Sequence, residues 1–167
     1  MDRQQLREIQ APLKERYGEE PQAAVVTLAA SGQLGEGVSC SVETGRAIAA
    51  AGLHPATGGD GSQLCSGDML LEALVACAGV TLRAVATSLG ISVPSGSVRA
   101  EGEVDFRGTL AVDRDAPVGF REIRLAFELD TEASEEELET LLKLTERYCV
   151  VFQTLAKPPA LSATLAA

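Results

Sequence analysis

Residues 66 to 90, SGDMLLEALVACAGVTLRAVATSLG, constrain the fold more than any other stretch of the chain. Ser66 stands where an N-cap belongs, Asp68 falls in the first turn where a carboxylate suits the helix dipole, and Gly90 is placed to end a helix in a left-handed conformation. The spacing predicts one long helix over about 67–89. At roughly 100° per residue, Leu70, Leu74, Cys77, Thr81 and Ala84 turn toward one side, with Asp68, Glu72, Gly79 and Arg83 opposite. Residues 73 to 82 are the uncharged stretch, short of the ~20 needed to cross a bilayer, so the segment reads as a buried helix of a soluble protein. In its middle lies a thiol, Cys77.

The flanking segments supply strands. LREIQAPLKERYG has helical composition broken at Pro12, giving a short helical extension over residues 1–20. AAVVTLAAS and VSCSVET read as the two strands of a hairpin joined by SGQLGEG. Residues 45–67 are rich in glycine and turn signals, predicting a long ordered loop, a candidate lid, in place of any regular element. SVRAEGEVDFRG and REIRLAFELDT alternate as strands, the second with Ile123, Leu125, Phe127 and Leu129 on one face. ASEEELETLLKLTERYC opens with a capping box, Ser134 to Glu137, and sets Leu138, Leu142, Thr145 and Cys149 on one stripe, with Glu135 to Glu137 as a solvated first turn. VVFQTL follows as a short segment, and after a Lys-Pro-Pro break ALSATLAA alternates enough for a last strand. The order is that of an α+β fold, two strand-then-helix halves within a single domain over 1–167, with no sequence repeat between the halves.

Composition narrows the function. The formal charge of −10 argues against binding nucleic acid or an anionic membrane, both of which need clustered Lys and Arg. The start, MDRQQLREIQ, lacks the basic residues and apolar run of a secretory signal, which predicts a cytoplasmic protein. With aromatics at 4% and no tryptophan, Ala, Leu and Val must fill the core. Cys40, Cys65, Cys77 and Cys149 form no C-x-x-C pair and the single histidine, His54, is distant in sequence, so no metal site is expected. In a reducing compartment four thiols are inert unless two of them do redox chemistry. Cys40 reads as a small strand residue, Cys65 as a weak competitor for a resolving role, and His54 as a loop residue packed by its ring.

Two motifs carry a resemblance. SGDMLLEALVACAGVTLRAVA is similar to the cysteine helix of the OsmC/Ohr family (osmotically inducible protein C-like, organic hydroperoxide resistance), in which a carboxylate and a Leu-Leu-x-Ala-Leu run precede a cysteine followed by a small residue. RYCVVFQTL resembles the family's second cysteine motif, and the order of elements agrees from about Ala24 to the C-terminus. The resemblance implies an OsmC-like fold, antiparallel sheets wrapped around two central cysteine-bearing helices in an intertwined homodimer with sites at the subunit interface. It further implies a thiol-dependent peroxidase without cofactor, Cys77 peroxidatic and Cys149 resolving, with a small apolar hydroperoxide as substrate and an external dithiol as reductant. Apolar surroundings favour organic peroxides, since burying an apolar substituent gains ~25 cal/mol per Å².

The same resemblance exposes departures. Burial raises a thiol's pKa, so the reactive thiolate needs a stabilising donor. In the family's peroxidases that donor is an arginine on an early loop, held by a glutamate near the start of the cysteine helix. Here SGQLGEG holds no arginine and the glutamate's position is Gly67, leaving Asp68 and Arg46 as the nearest candidate supports. Cys149 is followed by Val150 where many members have proline, which is compatible with the helix continuing past the thiol. The departures motivate an alternative function, a non-catalytic module that binds a hydrophobic small molecule at the dimer interface. A redox sensor is a third reading.

Overall fold

The computed structural model describes residues 2–5, 8, 11, 19, 32–34, 39–43, 48–111 and 113–166. The chain forms two compact units, residues 1–72 with 100–125 and residues 73–99 with 126–167. Of the expected helical extension, residues 3–5, 8, 11 and 19 are helical, and the expected strand AAVVTLAAS lies outside the described residues.

The first unit holds a four-stranded sheet. Gly32–Leu34 (β1) pairs antiparallel with Ser39–Glu43 (β2), Leu34 opposite Cys40, and β2 pairs antiparallel with Ile48–Gly52 (β3), Cys40 opposite Ala51. Leu64–Cys65 (β4) adds parallel to β3, with Gly52 opposite Cys65. Two expectations are corrected here. Part of SGQLGEG is a strand, and the loop expected over 45–67 contains two strands and a 3-10 turn at Pro55–Thr57. IAAAG has little intrinsic β preference, so β3 owes its form to the neighbour it pairs with and leaves no local signature. His54 caps the 3-10 turn, its Nδ1 accepting the Ala56 N–H at 3.0 Å while its ring stacks on Phe106 at 5.0 Å. It is the ring-packed loop residue expected from sequence.

Ser66–Leu89 (α1) forms the long helix, and Gly90 ends it at φ 78° as expected. Its buried stripe is Leu74, Ala78, Leu82, Val85 and Ala86, one step around the helix from the side that carries Cys77 and Thr81. The expectation of a buried helix needs correction within one chain. Its most apolar window is only 22% buried, and Val80 is 73% exposed. That window has mean hydropathy 1.8, so the helix passes the length and composition of a bilayer-crossing segment, as the core helix of a folded protein also does.

Ser95–Val104 (β5) and Phe120–Asp130 (β6) form a two-stranded sheet, with a one-turn helix, Phe106–Thr109 (α2), between them. Ile123, Leu125, Phe127 and Leu129 are half-buried while their neighbours are exposed, as their alternation predicts. Asp105 caps α2 in place of the expected strand continuation, accepting from the Arg107 main chain and side chain.

Glu135–Tyr148 (α3) carries the expected capping box, Glu137 N–H to Ser134 Oγ at 3.3 Å and Ser134 N–H to Glu137 Oε2 at 2.8 Å. Its buried stripe differs by one position from that expected: Leu141 and Thr145 are buried while Leu142 is 44% exposed. The core of the second unit joins Leu82, Val85, Ala86, Val93 and Leu141, flanked by Phe127 and Leu129. VVFQTL is helical, Val150–Ala156 (α4), and residues 158–166 show no regular structure. The expected last strand is absent among the described residues, because a strand needs an edge to pair with; Leu161 and Leu165 stand 89% and 95% exposed.

Candidate active site

The second unit bends its chain at Cys149. That residue has φ −73° and ψ 108°, extended geometry that stops α3, and α4 begins at the next residue. The Cys149 N–H closes α3 on the Thr145 carbonyl at 2.9 Å, and its carbonyl receives the Gln153 N–H of α4 at 2.9 Å. Its sulfur acts as an N-cap, accepting the Phe152 N–H at 3.5 Å, in a position usually held by an oxygen. The helix therefore does not continue past the thiol as CysVal had allowed. Cys149 is 1% exposed.

Cys77, from α1, brings its sulfur to this bend. Burial pushes its pKa up, but the Val151 N–H, the Cys149 thiol, the Val150 N–H and the Thr81 hydroxyl all donate to the sulfur and together hold the thiol below its ordinary value. Cys149 moves the other way. Burial raises it, the Phe152 N–H offsets part of that, and the hydrogen bond to Cys77 together with the Cys77 charge raise it further. One thiol is prepared to ionise while its neighbour is prepared to keep its proton.

Sequence had paired Cys77 with Cys149, and the structure sets the two thiols near enough that each shifts the other's pKa. Arg46 lies outside the described residues, and of Cys40 only the strand backbone is described. Asp68 belongs to the first unit, where with His54, Cys65, Phe106, Phe120 and Arg121 it lines a cavity of about 500 Å³. No cluster of His, Cys, Asp or Glu able to hold a metal occurs among the described residues. The donors to Cys77 were missed. Thr81 could have been found from its i+4 spacing on the same helix side. The Val150 amide could have been suspected from the departure itself, since proline after Cys149 would carry no N–H to offer; the Val151 amide left no such signal.

A sequence model of the OsmC-like protein family matches residues 59–164, both cysteine segments included. The chain belongs to the OsmC-like family. Solved structures agree on the fold. The OsmC-like protein of Mycoplasma pneumoniae is 20% identical, with 80% of this chain and 89% of that one covered at a TM-score of 0.67. An organic hydroperoxide resistance protein OsmC from Legionella pneumophila is 18% identical over 80% and 92% of the chains, TM-score 0.63. The organic hydroperoxide resistance protein of Elizabethkingia anophelis is 15% identical over 81% and 91%, TM-score 0.64. No curated protein matches in sequence. The mixed α/β OsmC-like fold is thus shown, and in this OsmC-like protein the thiol pair is set among main-chain donors.

Proposed function

We propose that this OsmC-like protein is a thiol-dependent peroxidase that reduces organic hydroperoxides in oxidative stress defence, with Cys77 as the attacking thiol and Cys149 as the resolving one. The reading is carried by the OsmC-like family match that spans both cysteine segments, and it is supported by the opposite displacement of the two neighbouring thiols. The Cys77 thiolate attacks the outer peroxide oxygen, the O–O bond breaks, and the departing alkoxide takes a proton to leave as alcohol, with Cys77 oxidised to a sulfenic acid. That oxidation removes both the charge and the sulfur acceptor that had raised Cys149. Cys149 then attacks the Cys77 sulfur, the S–S bond forms as the S–O bond breaks, and hydroxide leaves with the Cys149 proton as water. Two exchange steps with an external dithiol return the thiols. No cofactor enters this cycle.

The apolar setting of α1 favours alkyl or fatty-acid hydroperoxides over hydrogen peroxide. The surface α1 leaves uncovered supports the homodimer that the family fold implies, with antiparallel sheets enclosing the paired cysteine helices. A cytoplasmic setting would supply the reductant. The non-catalytic binding module does not account for donors collected on one sulfur. Turnover of cumene hydroperoxide with dithiothreitol tests the reading. Wild type is expected to turn over and Cys77→Ser to lose activity by at least about a hundredfold, whereas equal rates in the two proteins would refute it.

A further inference from the structure

The bend at Cys149 leaves a carbonyl behind. In an unbroken helix the Val150 N–H would bond the Glu146 carbonyl four residues back. The ψ of 108° at Cys149 turns that N–H out of the ladder, and the freed amide is one of the groups that hold the Cys77 thiol below its ordinary value. The Glu146 carbonyl is taken by a side chain: Gln153 Nε2 donates to it at 2.9 Å from the first turns of α4. The main chain of Gln153 holds the other side of the bend, its N–H on the Cys149 carbonyl at 2.9 Å. One half-buried residue thus bonds the carbonyls on both sides of the break.

We propose that Gln153 is a positioning residue for Cys77: by satisfying the Glu146 carbonyl, it releases the Val150 N–H from the helix ladder to donate, with Val151, to the Cys77 sulfur. Without the side-chain amide, the carbonyl regains a protein partner when Val150 returns to it, which straightens the bend and withdraws the donor. The inference rests on Cys77 being the reacting thiol and names what supports its thiolate in a chain whose early loop and position 67 lack the family's arginine and glutamate. Among the described residues, the titratable group that acts on Cys77 is the Cys149 thiol, and from its own helix Thr81 contributes a hydroxyl.

The test is the pH profile of Cys77 alkylation by iodoacetamide, resolved by peptide mass spectrometry in the full chain. Wild type is compared with Gln153→Met, Val150→Pro and the double variant. Proline is tolerated at the first position of a helix and after an extended residue, so Val150→Pro deletes one N–H where the backbone accepts it. Each single change is expected to raise the Cys77 midpoint by about half a pH unit to one unit. The double variant should shift by less than the sum, because Gln153 acts through the N–H that proline has removed. An unmoved midpoint in folded Gln153→Met, or shifts that add in full, overturns the proposal. If Gln153→Met does not fold, the wild type still decides by nuclear magnetic resonance. The Gln153 side-chain amide protons should be protected from exchange and the Val150 and Val151 amide shifts should follow the Cys77 titration; freely exchanging Gln153 amide protons overturn the proposal. No peroxide is used, so a wild type inert to peroxides would defeat the enzymatic reading without deciding this one.

Discussion

Cys77 and Cys149 differ in character because different atoms meet their sulfurs. Cys77 receives donors, while Cys149 keeps its proton, directs it toward the Cys77 sulfur as a hydrogen-bond donor, and is itself only 1% exposed. Removal of Cys149, the proposed resolving thiol, therefore has a specific signature. Cys149→Ser should oxidise once at Cys77 and then, with excess cumene hydroperoxide, progress to sulfinic acid, a gain of two oxygens on the Cys77 peptide. A Cys149→Ser protein that still turns over at the wild-type rate would point to Cys65 as the resolving thiol. A second residue-scale effect belongs to the first unit. The Arg107 side chain, then its main-chain N–H, donates to Asp105 and holds that carboxyl at about 2. A depressed carboxyl contributes stability that is complete above its unfolded value near 4 and is lost as pH falls through the folded value. Melting temperature should therefore decline between about pH 4 and pH 2 more steeply in wild type than in Asp105→Asn; parallel curves would show that the Arg107 contact is not expressed in solution.

At the scale of elements, what was legible carried its own end signals. The capping box before α3, the glycine after α1 and the alternation of β6 each fix an element by local chemistry, and all three are observed. The Ala-rich β3 and the two-residue β4 have no such signals, because their pairing partners create them. The bend at Cys149 was illegible for the same reason: the groups that satisfy it come from a glutamine four residues ahead, whose side chain takes the Glu146 carbonyl and whose N–H takes that of Cys149. The stripe on α3 gives a sharp test. Leu141→Ala, at 1% exposure, should cost about 2–5 kcal/mol in urea unfolding. Leu142→Ala, at 44% exposure, should cost less than about 1 kcal/mol. Reversed magnitudes would restore the stripe read from sequence. Ser134→Ala should cost about 1 kcal/mol through the lost cap.

For the whole molecule, the cysteine motifs made the family legible, while the surface of a single chain shows what one chain leaves open. Val80 at 73% exposure, a groove of about 380 Å³ beside it lined by Gly79, Val98 and Leu129, and the uncovered tail leucines form more apolar surface than a lone chain conceals well. Sedimentation at micromolar concentration should show a dimer, and Val80→Glu should shift it toward monomer; a wild-type monomer would contradict the dimeric reading.

The central claim, that Cys77 and Cys149 form one redox pair, is tested most directly by mass spectrometry. The protein is treated with one equivalent of cumene hydroperoxide, trapped under denaturing conditions and digested. The account predicts rapid formation of a Cys77–Cys149 disulfide, faster than with hydrogen peroxide, with Cys65 still free. Both thiols recovered unmodified, or a disulfide joining other cysteines, would contradict it.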